Sequence, residues 1–374
     1  MAQSTRSSGS RNPLVSSASP TIKDVAAAAG VSLGTVSNYL NRPNSVAPKT
    51  RAKVQKVVEE LGFVRNAGAA LMRSGRARTI GLVVLDVTNP FFTELARGAE
   101  EAARERDLLI ILCNSDEDPD KEQRYLEVLE EQRVLGVLIS AVDGKAAGVD
   151  RLRQRGTSVV LVESARPNFC SVRADDVGGG DLAAEHLIGL GHRELIYVSA
   201  SLSVRQYKER LEGVRHAMAR HGLPEGALTI VEQGLKGSTM DGRLAGEQVL
   251  AGRLPGTGIV CSNDLVALGV IAALVRGGVR IPQDVSIVGY DDIELAQQGV
   301  LALTTVQQPK QSMGRTATQL LIEEADQGGR HAHQQIVFQP ELVVRESTGP
   351  APSARRRRLD ASRQHAPHRS AALA

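Results

Sequence analysis

Apolar positions near the start of the chain recur at helical spacing, and the residues between them supply stops and starts. Thr21 is suited to cap a helix over Ile22–Ala29, which Gly30 ends. Ser32 caps a second helix from about Leu33 to Leu40, closed by Asn41-Arg42-Pro43. A third runs from near Pro48 to Leu61, with Val54, Val57, Val58 and Leu61 on one face and Gly62 as its stop. From Thr79 the pattern changes. The runs IGLVVL (80–85), LLIILC (108–113), LGVLIS (135–140) and SVVLV (158–162) are the continuous apolar segments of buried parallel strands. Amphipathic helices such as 92–106 and 120–132 separate them. A second series repeats the rhythm at ELIYVS (194–199), LTIVE (228–232), GIVCS (258–262) and VSIVGY (285–290), with helices near 204–220 and 264–276. Two sets of roughly four units predict two doubly wound α/β lobes with parallel sheets, facing one cleft.

The N-terminal module is all-α. Two short helices joined by Gly30-Val31-Ser32 have the geometry of a helix-turn-helix. Ile22, Val25, Val31, Val36 and Leu40 supply a small core, and Ala26, Ala27 and Ala29 let the helices approach closely. Leu33, Gly34, Thr35 and Asn38 are then the outward positions of the second helix, which would face a major groove.

Charge sharpens this division. The net +3 of the 374 residues conceals a basic head, where twelve Lys and Arg stand against three acids in residues 1–79. Residues 350–374 hold six arginines against Asp360. The body between is acidic, so a nucleic-acid surface is joined to something that is not one. Residues 1–19, rich in Ser, and 349–374, with RRRR at 355–358, read as disordered. No apolar run is long enough to span a bilayer, and the first twenty residues carry no hydrophobic block, so a cytoplasmic protein is expected. Cys113, Cys170 and Cys261 are widely spaced and read as reduced core residues.

TIKDVAAAAGVSLGTVSNYLN closely resembles the N-terminal signature of the lac repressor (LacI/GalR) family of transcription regulators. The match continues through VAPKTRAKVQKVVEELGFVRN and NAGAALMRSGRARTIGLVV into NPFF, SND and VSIVGYDD, covering about residues 20–348. The resemblance implies a helix-turn-helix domain over 20–65, a hinge at 66–78 and a two-lobed, periplasmic-binding-protein-like effector domain over 79–348. It places Leu33, Gly34 and Asn38 at base-reading positions, where Leu33 would meet a thymine methyl and Asn38 an adenine edge. Thr21, Ser32, Thr35, Ser37 and Thr50 match phosphate-holding positions. Residues 67–74 look like the hinge helix, with Met72 where the family usually wedges a leucine into the minor groove and Leu71 beside it. Gly34 lacks the polar reader some members carry.

In such lobes ligands lie at the carboxyl ends of strands. Asp86, Phe91 and Phe92 follow the first strand, with Asn89 among them; Asn263 and Asp264 follow GIVCS, and Asp291 follows VSIVGY. By family position Asn263 and Asp291 would bond ligand hydroxyls, Arg205 would add a polar contact, and Asp264 would also start a helix. The sequence has no ordered dinucleotide fingerprint, Walker lysine, H-E-x-x-H pair or nucleophile elbow. Val177-Gly178-Gly179-Gly180 reads as a tight helix start, and His331 and His333, two apart in a turn, are not by themselves a metal site. No enzymatic activity, cofactor or metal is expected. An extracytoplasmic sugar-binding protein and a Rossmann-type oxidoreductase are the competing classes; the basic head opposes the first and glycine-free LDVTNPFF the second. The resemblance implies double-stranded operator DNA, a small effector (a sugar derivative first, a nucleobase second) and a homodimer joined through lobe helices. A C-terminal leucine heptad for tetramer formation is absent, since residues 350–374 contain only Leu359 and Leu373.

Overall fold

Capping and close packing account for the head. In a computed structural model that describes residues 20–63, 77–142, 147–234, 236–252 and 256–352, helix α1 spans Ile22–Ala29, α2 spans Leu33–Asn41 and α3 spans Pro48–Leu61. Thr21 and Asp24 form a reciprocal capping box on α1. Gly30 and Gly62 end α1 and α3 in the left-handed conformation, and Ser32 caps α2 through the amide of Thr35. Val25, Ala26, Ala29, Val36 and Val54 are buried together, with Ile22, Val31 and Leu40 half-buried around them. Ala27 faces solvent, contrary to its expected place between the helices. The expectations for residues 1–19, for Leu71 and Met72 in the hinge and for the arginine cluster at 355–358 lie outside the described residues.

The described residues fall into two compact units, divided after residue 76. In the second, the chain alternates β1 (Thr79–Val84), α4 (Pro90–Arg104), β2 (Leu109–Asn114), α5 (Pro119–Glu131), β3 (Gly136–Ile139), α6 (Ala147–Gln154), β4 (Ser158–Val162) and β5 (Cys170–Ala174). It continues through α7 (Asp176–Gly189), β6 (Leu195–Ser199), α8 (Arg205–Arg220), β7 (Leu228–Glu232), α9 (Thr239–Leu250), β8 (Gly258–Cys261), α10 (Asp264–Arg276), β9 (Ser286–Asp291), α11 (Glu294–Gln298) and β10 (Thr304–Gln307). It ends with α12 (Lys310–Gln327), β11 (Gln335–Phe338) and β12 (Glu341–Val343).

Two six-stranded sheets result, in the orders β11-β5-β4-β3-β1-β2 and β12-β10-β9-β8-β6-β7. Every pairing is parallel except β10 with β12. Alternate residues of each buried strand serve opposite faces, as the pleat requires. In the first lobe Ile80, Leu82 and Val84 pack on Leu95, Ala99, Met313 and Leu321 of α4 and α12. Val137, Ile139, Val159 and Leu161 pack on Leu126, Leu129 and Leu152 of α5 and α6. The second lobe does the same with Ile196, Val198, Ile259 and Ile287 against α10, and Leu195, Tyr197, Val260 and Val288 against α7 and α8. The chain crosses between lobes three times: from β5 to α7, from β10 to α12, and from β11 to β12.

Several expectations change. Each sheet has six strands where about four were expected, because β5, β10, β11 and β12 are short. Cys170 and Cys261 are buried, but Cys113 is half-exposed on edge strand β2. Gly349 and Ala351, expected in the tail, are bonded into the second lobe through Ser286 and the carbonyl of Leu190. No helix among the described residues is long and apolar enough to cross a membrane.

Candidate functional site

In the head, Leu33, Gly34 and Asn38 are all exposed on α2, and Leu33 keeps 45% of its surface in water. An apolar side chain held out at a helix start gains only when a partner covers it. A Cβ at Gly34 would come no closer than 3.6 Å to any neighbour, so the missing side chain is not a packing requirement. Four of the five hydroxyls expected at phosphates are already engaged locally. Thr21 Oγ1 donates to Asp24 (2.7 Å), and Ser32 and Thr35 share a bond of 2.9 Å. Asn41 Nδ2 donates to Ser37 Oγ, and Thr50 lies half-buried in the first turn of α3. Thr21 and Ser32 therefore build the helix starts whose amides would meet a phosphate.

In the two-lobed unit, a cleft with about 430 Å³ of empty space, open solvent included, lies at the carboxyl ends of both sheets. Asp86 follows β1, beside the reversal of strand order in the first sheet, and Asn263 follows β8 at the equivalent place in the second. Asp86, Phe91, Phe92, Asn263 and Asp291 all line this cleft, as the sequence led us to expect. Phe91 and Phe92 meet edge to face at 5.1 Å. A larger hollow of about 1310 Å³, open solvent included, lies outside the Asp291–Asp292 turn, lined by Arg97, Gln297, Gln298 and Gln311. We place the site in the smaller cleft because buried polar groups converge there from both sheets.

Arg210 organises it. Only 4% exposed, it donates from Nε to Asp176 Oδ1 (2.9 Å) and from Nη1 to the Ser262 carbonyl (2.5 Å). Its guanidinium stacks 3.6 Å from the centre of the Tyr290 ring and lies 3.9 Å from Asp291 Oδ1. Asp291 accepts from Gln308 Nε2 at 2.8 Å, and burial pushes its carboxyl upward. Glu163, at the end of β4, is also buried, and desolvation together with Asp176 pushes it up to about 8. Glu117 rises to about 7 from burial and the neighbouring Asp86. Among the described residues, Glu163 Oε1, Asp176 Oδ2 and Gln308 Oε1 are buried without a hydrogen-bond partner in the chain. Of these only Glu163 lines the cleft, where a ligand could satisfy it.

The backbone is strained in the same place. Asp291 has φ +108, and Asp116, Glu117, Glu163 and Asp292 all have φ between +54 and +59. Of these residues held at positive φ at the ends of β2, β4 and β9, Glu117, Glu163 and Asp291 line the cleft.

Two expected site residues lie elsewhere. Asp264 is fully buried and does not line the cleft: its carboxylate accepts from the Thr305 hydroxyl (2.6 Å) and the Ile293 amide (2.9 Å). Nor does it cap α10; Asn263 does, through the amide of Val266, while donating to the Gly237 carbonyl. Arg205 stands beside the cleft, where it donates to the Glu163 carbonyl of the other lobe and pairs with Glu209. Sequence reasoning missed Glu117, Glu163, Gln206, Tyr207, Arg210 and Lys236. Gln206, Tyr207 and Arg210 fall on successive turns of α8, a pattern that could have suggested a polar face turned inward. The Val177–Gly180 run does open α7, and its glycines also admit neighbours: a Cβ at Gly179 would lie 2.1 Å from Tyr290 Oη, and one at Gly180 1.9 Å from the Arg210 carbonyl.

Comparison with known proteins agrees with this geometry. Residues 21–66 match the family described as "Bacterial regulatory proteins, lacI family", and 184–348 match "Periplasmic binding protein-like domain". The HTH-type transcriptional regulator DegA of Bacillus subtilis is 36% identical over 340 residues, covering 88% of this chain and 98% of its own. A LacI family transcriptional regulator from Enterococcus faecium with bound ribose superposes with a TM-score of 0.67 at 29% identity, over 73% of this chain and 99% of that one. The lac repressor dimer bound to operator and an anti-inducer superposes at 0.76 and 25% identity, over 88% and 99%. With a helix-turn-helix head, two parallel-sheet lobes and a relative of this likeness along most of its length, the chain belongs to the lacI family of bacterial regulatory proteins and is a transcriptional regulator.

Proposed function

We propose that the protein is an operator-binding repressor whose grip on DNA is set by a small, neutral, polyhydroxylated effector in the interlobe cleft, and that it acts as a homodimer. The observation that carries this reading is the ring of buried acids and amides around Arg210, which offers acceptors and a fixed fork of donors to hydroxyl groups. Both cations of the lining are already engaged, Arg210 by Asp176 and the Ser262 carbonyl and Lys236 by Asp116, which disfavours a phosphorylated ligand. The ribose bound to the Enterococcus relative supports a sugar. The exposed Leu33 and Asn38 would read bases, and the dimeric lac repressor on its operator supports two heads roughly 34 Å apart on a near-palindromic site. Effector binding would change operator affinity by the difference between its affinities for two lobe arrangements, commonly about 1–3 kcal/mol.

Two measurements test this. Fluorescence anisotropy at physiological salt should show preference for duplex from the protein's own upstream region over scrambled duplex. A thermal-shift panel of sugars and nucleobases on the full chain should give a stabilising sugar that alters this affinity, in either direction. Equal binding to both duplexes would end the DNA-reading proposal. Sequence preference that responds to a nucleobase and to no sugar would end the polyol assignment.

A further inference from the structure

Away from the cleft, at one end of the first lobe, four side chains with metal-binding chemistry converge. Cys170 opens β5 and is fully buried; Glu324 lies in the last turns of α12 with 9% of its surface exposed. His331 and His333 occupy the segment between α12 and β11. The topology brings them together. β11 pairs in parallel with β5, setting Gln335 opposite Ser171, so the residues preceding β11 run alongside Cys170. A single 3₁₀ turn at Gly328–Arg330 connects α12 to His331 and keeps Glu324 within reach.

The donor atoms are already spaced as ligands would be. Cys170 Sγ lies 3.1 Å from His331 Nε2 and 3.8 Å from His333 Nδ1, and His333 Nδ1 lies 3.7 Å from Glu324 Oε2. All four ligand atoms fall within 4.8 Å of one another. Bonds of about 2.0–2.3 Å at tetrahedral angles separate ligand atoms by roughly 3.3–3.8 Å. Only small side-chain adjustments are therefore needed. Glu324 Oε2 is buried and accepts no hydrogen bond within the chain, although it faces His333. The backbone amide of Gln334 points at Cys170 Sγ from 3.4 Å, an outer hydrogen bond of the kind that orients a ligating sulfur. One thiolate and one carboxylate balance a divalent charge, and the thiolate with two imidazoles selects zinc-like ions over magnesium or calcium. Arg153 Nη2 lies 3.4 Å from His333 Nε2; its exposed side chain also rests over the Phe169 ring at 4.9 Å, and it would have to move when that nitrogen carries the proton.

We propose that Cys170, Glu324, His331 and His333 form a tetrahedral site for a divalent ion of the zinc class, which ties the end of α12 and the approach to β11 onto β5. Neither histidine alone revealed this in the sequence, because the other two ligands are remote in the chain.

The test uses the reduced, chelator-treated full-length protein titrated with cobalt(II) and then zinc(II). The proposal expects saturation at one equivalent, a thiolate-to-cobalt charge-transfer band, tetrahedral d–d bands, and loss of all of these as zinc displaces cobalt. Cys170→Ser should remove the charge-transfer band. His333→Ala, at an exposed position, should weaken affinity at least tenfold while the far-ultraviolet circular dichroism is unchanged. Zinc should raise the melting temperature of the parent and not that of His331→Ala/His333→Ala. An octahedral cobalt spectrum, or binding unaffected by Cys170→Ser and His333→Ala, overturns the proposal.

Discussion

Glu163 is a carboxyl group with little solvent and other acids near it, and its protonation has a measurable cost. Burial and Asp176 raise it to about 8 from an ordinary 4.5. The folded protein therefore retains a proton between those values that the unfolded chain releases. Stability falls as pH rises through that window, and the loss is complete above about 8. Glu117, at about 7, and Asp264, raised to about 8 mainly by burial, act with the same sign. Glu163→Gln should flatten the decline in melting temperature between pH 5 and 9 without abolishing it, and should melt above the parent at pH 9. A variant with the parent's slope would remove Glu163 from this account. The expected site residues Asp86, Asn263 and Asp291 were legible because each follows an apolar run that ends at a strand's carboxyl terminus. Arg210 was not, because an arginine in the middle of an amphipathic helix normally marks the solvated face. Only Asp176, Ser262 and the Tyr290 ring, brought from three other elements, make it a buried one.

Close contact between helices shapes the elements around the cleft. α7 and α8 meet through small residues: a Cβ at Gly180 would lie 1.9 Å from the Arg210 carbonyl, and one at Gly213 1.9 Å from the Val177 carbonyl. α4 and α12 repeat the device at Gly98 and Gly314, with Cβ positions 2.0 Å from the opposing carbonyls of Gln311 and Leu95. Backbone cannot yield as a flexible side chain can, so Gly180→Ala should destabilise the lobe by about 1–3 kcal/mol in denaturant unfolding. It should also weaken effector binding, since the displaced backbone belongs to Arg210. Gly189→Ala on the same helix meets nothing within 4 Å and serves as the control. Equal stability of the two variants would refute the packing argument. The long helices and the buried strands were legible from periodicity and caps, including α1 and α10 to the residue. β5, β10, β11 and β12 were not: CSVRA, TTVQ, QIVF and ELV are three to five residues long and carry polar members. Their identity as strands comes from neighbours that pair with them, and local pattern does not record that.

Across the whole two-lobed unit, Lys236 of the second lobe reaches Asp116 of the first at 2.6 Å, spanning the cleft. Both side chains are about half exposed, so the pair itself contributes little to stability. Its effect should appear in the balance between lobe arrangements. Lys236→Ala should leave unfolding nearly unchanged and weaken a cleft-bound sugar several-fold by calorimetry; unchanged affinity would show that the tie has no bearing on closure. Edge strand β2 leaves Leu109 68% and Leu112 44% exposed. The sequence placed the dimer contacts on lobe helices. If the proposed homodimer also covers this edge, Leu112→Lys should shift sedimentation toward monomer, and a variant that remains dimeric would move the interface elsewhere. The three crossings between lobes have one more consequence, which concerns the order in which a ribosome delivers the parts. The first lobe receives α12 and its last strand, β11, only after nearly all of the second has been made. A nascent chain paused near residue 300 would present β5 with no outer neighbour and α4 with no helix to lie on, while the second sheet still lacks β10 and β12, so premature termination late in translation leaves two defective lobes.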